Sequence, residues 1–377
     1  MRLLISIVFI IVLLSCRPVR QTTVPDSDKI IVFPRNDTYK SNRIPALVIT
    51  KTGALLAFCE GRISSSGDWA DMNLVMKRSL DGGKTWSRVI ILDSNIGAPV
   101  GNPTPIVGEN GEVHLLYQRD YERAFYMRSN NDGIAWSKPV EITSTFHQFR
   151  PEYNWKVLAP GPGHGIRLKN GRLLCPVWLA DSEKMLPRRS HYPSSVATIY
   201  SDDNGRTWQR GAIVANQSDS ISNPNESMAV QLPDGQVMLS IRNPGKQMRR
   251  AFSYSSDGIS GWNGLRFDEE LFDPTCMAGF NSFFDKKTGK TFLVFTNPDS
   301  RDIPKHPRQN LVIKVSEDEG KTWPHQKVID SGAAGYSDVA IDDKGNIFVL
   351  YENNEVGEGT NYDLVMKRFS LKSLIGK

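Results

Sequence analysis

Apolar runs of strand length recur along this chain, and each ends in a cluster of Gly, Asn, Asp or Ser. Residues 46–50, 54–60 and 74–78 are followed by a polar turn and then by 89–92. The rhythm returns at 104–107, 113–118, 124–128 and 140–143, and again at 165–168, 173–179, 196–200 and 212–215. It continues through 228–232, 237–242 and 251–254, then 279–285, 291–296, 311–315 and 327–329, and last 337–342, 347–352 and 364–369. Runs this short, bounded by turn residues, predict β-strands. No stretch carries the apolar spacing of an amphipathic helix.

The turn that follows the third run of a unit has a fixed form. Ser79-Leu-Asp-Gly-Gly-Lys-Thr-Trp86, Ser201-Asp-Asp-Asn-Gly-Arg-Thr-Trp208 and Ser316-Glu-Asp-Glu-Gly-Lys-Thr-Trp323 share Ser-x-Asp-x-Gly-x-Thr-Trp. Looser copies run from Ser129 to Trp136 and from Ser255 to Trp262. Asp and Asn side chains bond nearby backbone N–H groups, and Gly tolerates positive φ, so the motif predicts a hairpin turn. Its Trp is expected to fold back and staple the turn. Calcium binding is the alternative for the aspartates, but the ligand spacing of a calcium loop is missing. Five copies of one catalytic acid would have no chemical use.

Strand–turn–strand units of about 60 residues repeated along a chain predict an all-β, six-bladed β-propeller. The sixth unit lacks its fourth strand, and the lone run at 29–33 is spare. Together they close the ring and remove an exposed edge. A pair of β-sandwiches or a parallel β-helix fits the even spacing less well. Residues 28–377 are then one domain.

Composition narrows the class. The chain has 377 residues, 39% of them hydrophobic and 9% aromatic, which describes a globular protein that buries a core. A net charge of +5 is too mild to argue for nucleic acid and is compatible with a small anionic substrate. Residues 3–14 are apolar but too short to span a membrane, and predict a secretion signal. Leu13-Leu-Ser-Cys16 resembles a bacterial lipoprotein cleavage box. The expectation is a signal peptide over 1–16 ending at a lipidated Cys16, then a tether over 17–27. The protein would be exported, periplasmic or at the cell surface, touching membrane only through that anchor. An ordinary signal peptide containing a Cys is the alternative. Cys59, Cys175 and Cys276 lie in or beside apolar runs and predict core residues, not disulfides. No zinc spacing and no His-Glu-x-x-His is present, so no metal or cofactor is expected.

A propeller carries its site at one end of the central channel. Charged residues at the ends of the apolar runs are therefore the candidates: Arg43, Arg62, Asp68, Glu226, Arg242, Arg308, Tyr336 and Glu352. Arg301 shares a loop with Arg308, which is preferred for its closeness to the run at 311. Taken singly, each reads as a surface ion pair.

As an ordered set they resemble the bacterial exo-α-sialidases (neuraminidases), over essentially the whole mature chain. Asn42-Arg43-Ile44-Pro45 is similar to that family's (Phe/Tyr)-Arg-Ile-Pro motif, with Asn in place of the aromatic, and the repeats resemble its Asp-boxes, or BNR repeats. The resemblance implies that Arg43, Arg242 and Arg308 grip the substrate carboxylate. It implies Asp68 as acid/base, Tyr336 as nucleophile and Glu226 as the base for Tyr336. It also implies a further binding arginine at Arg62 and a supporting Glu352. The chemistry agrees: guanidinium forks match a carboxylate, and a neutral phenol avoids the repulsion that a carboxylate nucleophile would meet. Trp69 and Trp155 are candidate contacts for the N-acetyl group or the next sugar. Loops 144–164 and 181–194 are expected to rim the site, the second carrying Arg188, Arg189, His191 and Tyr192. The expected function is retaining hydrolysis of terminal α-linked sialic acids on glycoconjugates, by a monomer. Two alternatives stand beside it: transfer of the sugar, within the molecule or to another acceptor, on the same site, and a non-catalytic propeller that binds glycans or proteins. A propeller acting on a neutral sugar is disfavoured by the three arginines.

Overall fold

A computed structural model describes residues 29–95, 97–185, 188–218, 220–354 and 361–376. The expected signal peptide, the Cys16 anchor and the tether lie outside the described residues. The chain is a six-bladed β-propeller. Blade one is Ser41–Ile49, Leu55–Arg62, Met72–Ser79 and Ile90–Ser94, and blade two is Val100–Val107, Val113–Arg119, Arg123–Ser129 and Val140–Glu141. The inner edge of blade three comes in two pieces, Val157–Pro160 and Ile166–Arg167, both paired with Leu173–Ala180; Ser194–Ser201 and Gln209–Asn216 complete it. Blade four is Ser227–Gln231, Val237–Ile241, Arg249–Ser255 and Asn263–Phe272.

Blades five and six are joined by one long strand, His325–Ile341. Its first part pairs with Gln309–Ser316 as the outer strand of blade five, and its second part pairs with Asn346–Asn354 as the inner strand of blade six. Gly279–Asp285 and Lys290–Pro298 supply the rest of blade five. Asp363–Ser370 is the third strand of blade six, and Ile30–Phe33 pairs with it antiparallel as the fourth. The expected closure by the first strand of the chain is thus the observed one. Among the described residues two short helices occur, Thr143–His147 after the last strand of blade two and Leu371–Leu374 after the third strand of blade six.

The apolar runs are continuous because both faces of each blade are covered. In Leu55–Arg62, Leu55, Ala57 and Cys59 face blade six while Leu56 and Phe58 face blade two. Alternation is present, but both phases are apolar. Among the described residues buried clusters lie between every adjacent pair of blades, the one between blades six and one closing the circle, and a smaller second cluster of Tyr121, Val157, Ala159, Trp178 and Ala180 lies between blades two and three. All three cysteines of the described residues are buried and unpaired.

The repeat is a turn device, as expected. In the first copy Gly83 N–H donates to Ser79 Oγ at 2.9 Å, Thr85 N–H to Asp81 Oδ1 at 3.0 Å and Thr85 Oγ1 to Asp81 Oδ2 at 2.6 Å. Those bonds, the Thr85 hydroxyl first, hold the exposed Asp81 carboxyl down at about 2. The tryptophans do more than staple their own turn. Trp136 of blade two packs edge-on against Phe58 of blade one, with centroids 6.0 Å apart, and Trp208 of blade three lies 5.8 Å from Tyr126 of blade two. Each ring reaches the preceding blade, so the motif couples neighbours. These turns follow third strands, which places them on the face opposite the ends where the candidate residues cluster.

Candidate active site

The candidate residues fall where strands meet one mouth of the channel. Arg43 is the third residue of the inner strand of blade one, beside a register shift where Ile44 has φ 61°. That is a strained value for a β-branched residue, and the Ile44 N–H is held there by Glu352 Oε1 at 3.1 Å. Asp68 lies in the loop before Met72–Ser79. Glu226 directly precedes Ser227–Gln231, and Arg242 directly follows Val237–Ile241. Arg308 directly precedes Gln309–Ser316. Tyr336 sits at a bulge in the long strand, where register shifts between Ala334 and Ser337. Bulges re-aim side chains, and both here aim at the same cavity.

That cavity has a volume of about 250 Å³ and is lined by Arg43, Asp68, Glu226, Arg242, Arg308 and Tyr336, with Ile44, Asn102, Tyr121, Trp178, His191, Tyr192 and Asn225. The Tyr336 hydroxyl donates to Glu226 Oε2 at 2.7 Å. Glu226 Oε2 also lies 2.9 Å from Arg242 Nη1. The guanidinium carbons of Arg43, Arg242 and Arg308 stand 5.2, 5.9 and 5.1 Å from the centre of the Tyr336 ring. Burial pushes the Tyr336 phenol well above its ordinary range, against the pull of Arg242, so the ring is neutral in the free site.

Most of these arginines have an acidic partner. Arg43 Nε donates to Glu352 Oε1 at 3.0 Å and its Nη2 to Oε2 at 3.3 Å. Glu352 is fully buried, and its Oε2 also accepts the Tyr336 N–H at 3.0 Å. One carboxylate therefore fixes both the first arginine and the backbone of the phenol. Gly335 makes room for it, since a Cβ there would lie 2.1 Å from Glu352 Oε2. Arg308 differs. Its Nη2 donates to the Thr275 carbonyl at 2.7 Å, and no carboxylate among the described residues pairs with it. It is the guanidinium best left to receive an incoming anion.

Arg62 lies beneath the cavity, fully buried, and does not line it. Its Nε and Nη2 donate to Glu60 Oε2 at 3.0 and 2.6 Å, it donates to the Ser66 carbonyl, and its Nη2 lies 3.0 Å from Asp68 Oδ1. A direct grip on substrate is therefore corrected to a grip on Asp68. Asp68 also lies 3.7 Å from Arg43 Nη1. Burial raises the Asp68 carboxyl, but Arg62 and Arg43 outweigh it and hold it at about 2. Glu60 in turn accepts the Asn102 N–H at 2.9 Å and sits so close that a Cβ on Gly101 would lie 1.9 Å from its Oε1. The same pairing of a buried Glu with a neighbouring Gly supports both sides of the cavity.

Other expectations need correction. Trp69 does not line the cavity. It packs behind, with Tyr121 at 5.1 Å and the Arg189 guanidinium 5.4 Å from its ring. Trp155 is 1% exposed, and its Nε1 donates to the Phe146 carbonyl at 2.8 Å, so it is core. No lining residue comes from 144–164, because that stretch packs under blade three, and Arg301 turns to Asp299 at 2.8 Å. Loop 181–194 does reach the cavity, through His191 and Tyr192. The wall it completes was missed in part: Tyr121 and Trp178 face His191 at 4.7 and 5.1 Å. Burial pushes the His191 imidazole down, against Asp68, so it is neutral at pH 7. Trp178 sits in an all-apolar strand and reads as core. Tyr121 sits in a tight turn, where Asp120 and Tyr121 hold φ of 54° and 52°, and nothing in the sequence marks it for the site. Tyr362 also bears on the site: its ring lies 5.5 Å from the Arg43 guanidinium and offers an aromatic face where the local motif has Asn42.

Fold and site together define a propeller whose mouth sets three guanidiniums around a neutral phenol and two carboxylates. Residues 53–349 match the family described as BNR repeat-like domain. The chain is 28% identical over 355 residues to a sialidase of Bacteroides fragilis, covering 85% of this chain and 61% of that protein. It is 28% identical over 355 residues to a sialidase of Micromonospora viridifaciens, covering 86% of this chain and 51% of that protein. Among solved structures, Hadza microbial sialidase Hz136 aligns with a TM-score of 0.77 at 25% identity, covering 92% of this chain and 69% of that one. The chain thus spans about half to three fifths of the length of these two curated relatives. The chain belongs to the sialidase family with BNR repeats.

Proposed function

We propose that this chain is a retaining exo-sialidase that cleaves terminal α-linked sialic acids through a tyrosyl-enzyme intermediate. The observation that carries the reading is the Tyr336 hydroxyl donating to Glu226 at 2.7 Å inside a ring of three guanidiniums. Trypanosoma rangeli sialidase, which shares the fold, is described in complex with 2,3-difluorosialic acid as a covalent intermediate. A sialylated glycan is accordingly the substrate class assigned here.

In the first step Arg43, Arg242 and Arg308 hold the substrate carboxylate. Glu226 takes the phenolic proton as the Tyr336 oxygen attacks the anomeric carbon. Asp68 gives its proton to the leaving oxygen as that bond breaks. In the second step the Asp68 carboxylate takes a proton from water. The resulting oxygen attacks the same carbon, and the Tyr336 oxygen leaves and recovers its proton from Glu226. Two inversions give retention. The chain would act after export, anchored through Cys16.

Release of a chromogenic leaving group from an α-sialoside tests the reading, with NMR identifying the first-formed product. The α-anomer of free sialic acid is expected. No release overturns the enzyme reading, and a product other than free sialic acid replaces hydrolysis by transfer.

Asp68 sets a second expectation. It must be protonated to act as acid, yet Arg62 and Arg43 hold it at about 2 in the free site. A bound substrate carboxylate offsets the positive field and raises the Asp68 carboxyl. Loss of the proton makes activity fall as pH rises, so the falling limb of kcat is expected about one unit or more above that of kcat/KM. Coincident limbs would count against Asp68 as the acid.

A further inference from the structure

Two of the cavity arginines rest on one backbone oxygen. Arg242 Nη2 and Arg308 Nη2 both donate to the Thr275 carbonyl, at 3.1 and 2.7 Å. Arg242 has other holds, with Asn225 Oδ1 accepting from its Nη1 at 2.9 Å. Among the described residues no carboxylate pairs with Arg308, so its aim depends most on Thr275. Thr275 itself has a φ of 56°, a left-handed conformation that a β-branched residue keeps only when its surroundings impose it.

What imposes it lies behind the cavity. Arg250, on the third strand of blade four, is fully buried, as is Asp273. Arg250 Nη1 donates to Asp273 Oδ2 and to the Cys276 carbonyl, both at 3.0 Å, and its Nε donates to Ser240 Oγ at 2.9 Å. Asp273 Oδ1 accepts the Cys276 N–H at 2.8 Å. Both backbone polar groups of the residue after Thr275 are therefore held by a single ion pair. A buried ion pair is seldom more stable than an apolar pair of the same volume, so stability alone is a poor reason for this one.

We propose that the Arg250–Asp273 pair is a positioning device: it fixes the Thr275 carbonyl so that Arg242 and Arg308 meet the substrate carboxylate together. Neither residue lines the cavity. The proposal rests on the sialoside reading, because it assigns the pair to the recognition of that carboxylate.

The test compares a sialic acid analogue bearing a free carboxylate with its carboxamide, by calorimetry, on the full chain. Arg250→Lys keeps a charge beside Asp273 but cannot hold Asp273, Cys276 and Ser240 at once. Arg250→Met combined with Asp273→Asn removes both buried charges, and the introduced amide oxygen can still accept from the Cys276 N–H. In each variant the acid is expected to bind about tenfold more weakly while the carboxamide changes by no more than about twofold. Equal losses for both ligands would reduce the pair to a structural role and overturn the proposal, as would unchanged binding of the acid. If the wild-type chain binds neither ligand, the sialoside reading and this proposal are both overturned.

Discussion

Tyr336→Phe is expected to abolish sialoside turnover and leave the fold in place. The substitution removes one oxygen. The ring stays in the buried cluster between blades four and five, with Phe280, Phe295 and Met228 among its members. Glu226 loses the phenol but keeps Arg242 at 2.9 Å, so no charge is left unpaired. A buried phenol is a polar group held away from water, and its loss costs little when its partner stays satisfied. The melting temperature should therefore move little. Activity should fall by on the order of 10⁴-fold or more, the scale on which removal of a nucleophile acts. Binding of a sialic acid analogue should survive, because the three guanidiniums remain. Retained turnover with retention of configuration would remove Tyr336 from the chemistry.

Glu352→Ala should have the largest effect on stability. Glu352 is fully buried and accepts from Arg43 twice, from the Ile44 N–H and from the Tyr336 N–H. Without it, the Arg43 guanidinium loses its close carboxylate partner in a nearly buried site; Asp68 at 3.7 Å is the remaining one. Breaking a buried ion pair from one side typically costs about 3–5 kcal/mol. Chemical denaturation should show a loss on that scale, and Arg43→Leu added to it should recover part. Activity should fall as well, since the bulges that aim Arg43 and Tyr336 lose a common anchor. A variant as stable as the wild type would show that the two bulges hold themselves.

Much of this architecture was legible in the chain because its causes are local. Strand–turn periodicity and the Ser-x-Asp-x-Gly-x-Thr-Trp turn are short-range features, and they gave the blade count and the closure by residues 29–33. The missed elements fail for physical reasons. Asn263–Phe272, the outer strand of blade four, reads as polar because it is an edge strand with one face in water. The apolar pattern marks only 165–168 for the inner edge of blade three, because the piece at Val157–Pro160 lies beyond a turn. The local motif predicts the tryptophans of the repeat only as staples for their own turns. Their packing on the preceding blade is long-range, and no local pattern encodes it.

The candidate site was legible as a set of strand ends, once the repeat had fixed the phase. Its supports were less so. Arg62 was expected at the substrate and lies under Asp68 instead, because its position in the strand sends it below the cavity. Trp178 is one apolar residue among many in Leu173–Ala180, and only three-dimensional placement separates it from core. The Arg250–Asp273 pair had no signal at all, since its work is done on a backbone carbonyl.

In the proposed mechanism Tyr336 forms the covalent intermediate. Incubation with a 2,3-difluoro sialic acid, followed by proteolysis and mass spectrometry, tests it most directly. One added glycosyl group is expected on the peptide containing Tyr336, and none in Tyr336→Phe. A label on Glu226 or Asp68, or no label on a chain that turns over the unfluorinated substrate, would contradict it.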